Sequence, residues 1–348
     1  MKLLIKLRTL ISCVLPLALL AAPLSSAQQN ITTLPRLAGT LLDVTPPSTR
    51  VKGIPGSMQI VERGCRNAPL GEAMRRHIVN TAVQEWGFFG FQVEDQRNTA
   101  PIGNTPNPTN ARRRFGPLDP VEVSRVADSV GGYWAAAPDS DWILQRQNDA
   151  WNSSGGLTSR WRDPWSAAFI SWVMCESGLG DEARFKRAIA HHTYIDQAIR
   201  ARDAKTTDAA YIAYEPGEQP IVPGDMLCSG LRPVYKTLAQ RRAQLGVGAR
   251  THCDIVVQVN ENAGQILTIG GNVRSSVRLK IFPAGDTGKA NMALLPTARV
   301  IFAHLKLQTA SIEADALRNS PTVQNMGCNM PAPPVFTIVS IELPSASC

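Results

Sequence analysis

Ser166, His252 and Asn272 have the residue types and local settings that hydrolytic chemistry uses. Ser166 stands at a helix start in Asp163-Pro164-Trp165-Ser166-Ala167-Ala168-Phe169, His252 at a strand start in His252-Cys253-Asp254-Ile255-Val256, and Asn272 at a strand end in Ile269-Gly270-Gly271-Asn272. A serine hydroxyl attacks a carbonyl only when a base takes its proton during the attack, and histidine is the side chain suited to that task at neutral pH. The histidine in turn needs a partner that fixes its tautomer. Asn272 can accept a hydrogen bond from the ring. Asp254 is its rival: two residues from His252 it shares a strand face with it, and a carboxylate stabilises an imidazolium better than an amide does. Both assignments stay open at the level of sequence.

The elements that must position these residues are readable. Asp163 as cap, Pro164 at the first helical position and Gly178 as terminator predict a helix, with Trp165, Ala168, Phe169, Trp172 and Val173 on its buried face. Ser166 then lies in the first turn, at the positive end of the helix dipole. Helices are also expected over Ala73–Trp86 and Val121–Trp134, a long loop over Asn98–Pro120, and a further helix over Asp181–Asp203. The last carries His191 and His192 among Phe185, Ile189, Ile195 and Ile199, where a histidine reads as a hydrogen-bonded core residue. From Ile221 the pattern changes to short strands: Met226–Ser229, Asp254–Val259, Gln265–Ile269, Val277–Phe282 and Arg299–Leu307. The expectation is an α+β fold, a helical half followed by an antiparallel sheet. Six of the seven tryptophans fall between Trp134 and Trp172, at least half of them as core residues and the rest available to line a groove.

A chain of 348 residues with 44% hydrophobic and 18% charged residues can bury a full core. Residues 1–27 read as a secretory signal peptide: Lys2, Lys6 and Arg8, an apolar run from Leu10 to Leu20, then the small-residue site Ser25-Ser26-Ala27. No stretch has the unbroken apolar length of a membrane span, so the expectation is an exported protein, periplasmic or extracellular. Residues 28–68, rich in Pro, Thr, Ser and Gly, read as an extended leader, 69–307 as the main domain and 308–348 as a tail. Losing three basic residues with the signal peptide takes the net charge from +8 to +5, and no Lys/Arg-rich run interleaved with aromatics points to nucleic acid.

Without Cys13, six cysteines remain, none in a C-x-x-C spacing and none forming a zinc pattern with the histidines. No metal or other cofactor is expected. Export and an even count favour disulfides. Cys228 and Cys253, on two candidate strands, can bridge across a sheet if those strands are neighbours. Cys328 with Cys348 is the next expected pair, leaving Cys65 with Cys175 by elimination.

Four segments in order resemble the CHAP and NlpC-type superfamily of papain-like cell-wall hydrolases, whose motifs run WCAAFVSW, PGD, HVGIV and GGN. They are Trp165-Ser166-Ala167-Ala168-Phe169-Ile170-Ser171-Trp172, Pro223-Gly224-Asp225, His252-Cys253-Asp254-Ile255-Val256 and Gly270-Gly271-Asn272. Over roughly residues 70–305 the chain is closer still to a bacterial family of unknown function, DUF2272. That family has serine in the first motif, H-x-x-Y-I on the next helix and cysteines in the GD-x-x-C and HCDIV motifs. His191-His192-Thr193-Tyr194-Ile195, Gly224-Asp225-Met226-Leu227-Cys228 and the His252 segment are similar to these. The resemblance implies a papain-like α+β fold with the nucleophile helix packed on an antiparallel sheet, and Asn272 as the orienter of His252.

Ser166 replaces the superfamily's cysteine. Cys175, nine residues on, lies on the opposite helix face about 13 Å along the axis, and Cys253 points to the other strand face from His252, so neither replaces the thiolate. The expected function is an exported peptidoglycan stem-peptide amidase or endopeptidase. The alternatives are a catalytically silent domain that binds wall peptides, and a serine esterase or acyltransferase.

Overall fold

Alternating apolar residues in the second half of the chain build six strands of a seven-stranded sheet, a short strand from the first half completes it, and helices cover one of its faces. The structure is a computed structural model that describes residues 33–67, 71–96, 120–284 and 300–329. The expected signal peptide, residues 98–119 of the expected loop, the Cys328 side chain and Cys348 lie outside the described residues.

In chain order the elements are β1 (Val51–Lys52), β2 (Gln59–Ile60), α1 (Glu72–Phe88), β3 (Val93–Asp95), α2 (Pro120–Ala136), α3 (Asp141–Trp151), α4 (Ser166–Glu176) and α5 (His192–Ala204). There follow β4 (Tyr211–Tyr214), β5 (Met226–Arg232), α6 (Leu238–Arg242), β6 (Arg250–Asn260), β7 (Gln265–Val273), β8 (Ser276–Pro283), β9 (Ile301–Leu307) and α7 (Pro321–Asn329). The large sheet runs β3-β8-β7-β6-β5-β9-β4. Every neighbouring pair is antiparallel except β3 with β8, so the architecture is a mixed α+β fold with a mostly antiparallel sheet.

Strand alternation sorts the sheet residues. Cys228, Cys253, Ile255, Ile269 and Leu279 join the main core with Phe169 and Trp172 of α4 and Ile195 of α5. Their strand neighbours Leu227, Val256, Ile266 and Phe282 form a smaller cluster on the opposite face. By the same period of two, His252 and Asp254 share the face of Val256, while Cys253 between them points to the helices. Cys228 stands directly opposite Cys253 in the β5–β6 register, and the two form a disulfide with Cα atoms 4.1 Å apart. Cys65 and Cys175 form the second, with Cα atoms 4.7 Å apart.

Several expectations change in detail. The Asp163 carboxylate pairs with Arg146 at the surface and caps nothing; Trp165 occupies the cap position, which makes Ser166 the first helical residue. Gly178, in the left-handed region at φ +83, ends that helix as expected. The helix expected over Asp181–Asp203 starts only at His192. Residues 181–191 are irregular because side chains satisfy their backbone: Ser171 Oγ accepts the Ala188 N–H at 3.0 Å, and Gln197 Oε1 accepts the Lys186 N–H at 2.7 Å. Residues 33–67 contain only short elements, yet Leu34, Leu42 and Val44 enter the main core, and Arg36 and Arg50 pair with the buried Glu85 and Glu176. After β9, Leu317 and Val323 are buried as well. Of the six clustered tryptophans, Trp134, Trp151, Trp165 and Trp172 are buried, and Trp142 is exposed.

Candidate active site

A cleft of about 740 Å³ opens where the start of α4, the start of β6 and the β7–β8 turn meet. Ser166, His191, His252, Asn272, Arg250 and Arg274 line it. The first turn of α4 presents Ser166 to this space because Ala168, Phe169 and Trp172 anchor the same helix in the core.

The Ser166 hydroxyl bonds to His191, the residue just before α5, with Oγ and Nε2 2.7 Å apart. Two donors converge on the other ring nitrogen. The backbone N–H of Cys253 donates to His191 Nδ1 at 3.2 Å, and the Tyr194 hydroxyl donates to the same atom. A backbone N–H can only donate, so Nδ1 holds the lone pair and Nε2 holds the proton. His191 therefore donates its Nε2–H to Ser166 Oγ. Burial, then the neighbouring His252, pushes the His191 imidazole well below its usual pKa, which keeps the ring neutral. Burial, with Asp254 adding to it, raises the Tyr194 phenol well above its usual value, which keeps that hydroxyl protonated.

His252 lies beside this pair, with its ring centroid 5.2 Å from that of His191. Its Nε2–H donates to Asp254 Oδ1 at 2.9 Å, which leaves Nδ1 as the nitrogen that the neutral ring would use as a base. Lys280 of β8 reaches across β7 and donates to both Asp254 oxygens at 2.9 Å. Burial opposes charge on Asp254, but the Lys280 ammonium and then His252 outweigh it and hold the carboxyl well below the usual carboxylate range. Gly270 makes the pairing possible: a Cβ there would lie 1.8 Å from Asp254 Oδ1 and 3.0 Å from His252 Nε2. Its neighbour Gly271 lets β7 approach α4, where a Cβ would meet Phe169 at 2.6 Å. The double glycine serves packing on both faces of one strand.

Asp254 thus takes His252 Nε2, the position for which Asn272 was the first expectation. Asn272 sits in the left-handed region at φ +55, on the bulged end of β7 next to Arg274 and Ser275 at φ +52 and +64. Its side chain has no hydrogen bond among the described residues and lines the cleft. Against the expected core role, His191 belongs to the site. The signal for it in sequence was the His191-x-x-Tyr194 spacing, which brings the two side chains together on one helix turn.

The two histidines differ in what they offer. His191 presents a proton to Ser166, His252 is oriented by a carboxylate, and Ser166 supplies a hydroxyl at the dipole-positive helix end. A smaller pocket of about 30 Å³, lined by Val123, Val126, Val130, Trp161 and Trp165, adjoins the cleft at Asn272 and Ser275. Among the described residues no group of His, Cys, Asp and Glu could hold a metal ion, and no helix is long and apolar enough to cross a membrane.

A family model described as an uncharacterized protein conserved in bacteria (DUF2272) matches residues 123–305. That is more than half of the chain, and it includes Ser166, His191, His252, Asn272 and Lys280. No curated protein and no solved structure matches the chain. The chain belongs to the DUF2272 family.

Proposed function

We propose that this DUF2272 member is an exported serine hydrolase that opens amide bonds in peptidoglycan stem peptides, built on a papain-like plan. The observation that carries the reading is that one open cleft brings Ser166, at a helix start, together with His252 and its carboxylate partner Asp254. A nucleophile at a helix N-terminus packed on an antiparallel sheet, with a histidine at the start of a neighbouring strand, is the arrangement that the motif resemblance implies.

In the reaction Ser166 Oγ bonds to the carbonyl carbon, the C=O electron pair moves onto oxygen, and the hydroxyl proton passes to His252 Nδ1. Collapse of the tetrahedral species breaks the C–N bond, and His252 returns the proton to the departing amine. Water then cleaves the acyl-serine ester by the same sequence in reverse. Asp254, anchored by Lys280, holds the His252 tautomer and stabilises the imidazolium.

The lining supports a peptide over a lipid. Arg250 lines the cleft as a cation for a carboxylate, while Arg274 there is paired with Glu94 at 3.2 Å, and the small pocket beside it suits a methyl-sized side chain; stem peptides carry both groups. A lipid esterase would call for a strongly apolar groove. Two disulfides support an oxidising compartment and hence export. The silent peptide-binding alternative draws on one observation: the residue bonded to Ser166 is the donor His191 and not the base. Mass spectrometry of muropeptides after incubation with sacculi separates the two readings. New stem-peptide fragments with wild type and none with Ser166→Ala support the hydrolase; binding without fragments supports the silent domain.

A further inference from the structure

We propose that His191 is a second catalytic residue with a role opposite to that of His252: a neutral imidazole whose Nε2–H stabilises the negative charge that forms on Ser166 Oγ and on the substrate's carbonyl oxygen. This rests on the serine-hydrolase reading above and deepens it, because it assigns the two histidines of one cleft to different halves of the reaction.

The assignment follows from hydrogen-bond direction. Nδ1 of His191 receives the Cys253 N–H at 3.2 Å and the Tyr194 hydroxyl. Moving the proton to Nδ1, which a base role at Nε2 requires, would set an N–H against the backbone N–H of Cys253. That amide cannot turn away, because Cys253 is paired with and bridged to Cys228 of β5, and β6 is held by β7 from Ile255 onward. Tyr194 is held equally firmly, with its ring stacked on Phe185 at 5.0 Å between centroids. His191 is only 3% exposed, its Nδ1 side engaged by Cys253 and Tyr194 and its Nε2 side by Ser166.

The charges facing the ring agree. From β6 it meets His252 and Asp254, from β8 Lys280, and from its own helix His192; of these only Asp254 favours a protonated His191, and Asp254 is already engaged by Lys280 and His252. A buried neutral imidazole fixed as a donor is an electrophile and not a base. During attack the Ser166 proton goes to His252 Nδ1, the new C–O bond forms, and the His191 Nε2–H stays on its nitrogen throughout. As the bond forms, the carbonyl oxygen comes close enough to Oγ to share that donor, so one N–H serves the nucleophile and then the oxyanion.

The test has one arm that is independent of turnover. Nitrogen NMR of isotope-labelled histidine should show His191 as the neutral Nε2–H tautomer at pH 7, still so near pH 5, and unchanged in Ser166→Ala. The second arm follows the rate of Ser166 labelling by a fluorophosphonate against pH. His191→Ala should slow labelling about 10²- to 10³-fold and leave the midpoint of the acid limb in place. His191→Gln, which keeps an N–H donor, should recover part of the rate, and His252→Ala should flatten the limb. An Nδ1–H tautomer or an imidazolium at pH 7 overturns the assignment, and so does a limb that disappears with His191→Ala. If wild type fails to label while the Nε2–H tautomer is present, the hydrolase reading fails and takes the catalytic role with it, although the donor geometry stands.

Discussion

Among the described residues two buried aspartate–histidine pairs have the same length, and only one of them lines the cleft. His252 Nε2 meets Asp254 Oδ1 at 2.9 Å with Lys280 as the balancing cation; His304 Nε2 meets Asp225 Oδ2 at 2.9 Å with Arg75 and Lys306 nearby at 3.0 and 3.7 Å. Both carboxyls are held below the usual range: burial opposes the charge in each, and cationic or hydrogen-bonding partners outweigh it. The difference is what the second ring nitrogen faces. His304 is fully buried and its Nδ1 has no hydrogen-bond partner among the described residues, whereas His252 lines the cleft beside Ser166 and His191. Around Asp225 the hydrogen bonds tie structure together, with the backbone N–H groups of Val222 and Leu307 donating to the carboxylate and Arg75 capping the Pro223 and Leu307 carbonyls. A histidine paired with a carboxylate is thus a structural staple or a residue presented to a cleft according to its surroundings, not its sequence.

Substitutions separate the two pairs. The largest effect is expected from Asp254→Asn, which leaves His252 without a fixed basic tautomer and should lower turnover roughly 10⁴-fold in a protein that still folds. Gly270→Ala should act in the same direction, because the added Cβ overlaps the Asp254 carboxylate. Turnover per folded molecule and circular dichroism together check both. Asp225→Asn should do the reverse, costing about 3–5 kcal/mol of stability by leaving Arg75 buried without its counter-charge, with little change in turnover per folded molecule. Denaturant titration measures it, and a large turnover defect in folded Asp225→Asn would erase the distinction.

Reduction of the Cys228–Cys253 bridge comes next. It closes a loop of 25 residues, and the chain-entropy model assigns it about 3 kcal/mol. Since Cys253 also supplies the N–H that fixes His191, Cys228→Ser should lower both the denaturation midpoint and the labelling rate of Ser166. The smallest effect is in pH. The unfolded His191 takes up a proton below about pH 6.5 while the folded ring resists it, so acid favours unfolding from that point downward. Stability from Asp225 and Asp254 is present above the usual carboxylate range and is lost only as pH falls through it, below about pH 4. Thermal melts should therefore begin to fall near pH 6.5, and His191→Gln should lose part of that first decline.

Much of this geometry was legible in the residues. Ser166 at a helix start, the strands from Met226 onward and the Cys228–Cys253 bridge followed from the proline and the helical apolar spacing around Ser166, period-two alternation and the placement of two cysteines on candidate strands, although Asp163 is not the cap. His191 was not, because Phe185, Ile189, Ile195 and Ile199 keep a helical spacing across a segment whose first part is irregular. The hydrogen bonds from Ser171 and Gln197 that hold residues 181–191 out of a helix are tertiary and leave no periodic trace. The choice of Asp254 over Asn272 was equally hidden, since it depends on Lys280 arriving from two strands away and on the absence of a Cβ at Gly270. Residues 33–67 lack a period but carry the isolated apolar side chains that fill the core edge.

The most direct test is to locate the covalent adduct after treating the purified protein with a fluorophosphonate. A single modified peptide with the label on Ser166 is expected, formed in wild type and His304→Gln, strongly slowed in His252→Ala and absent in Ser166→Ala. An unmodified Ser166 peptide, or equal labelling in His252→Ala, would contradict it.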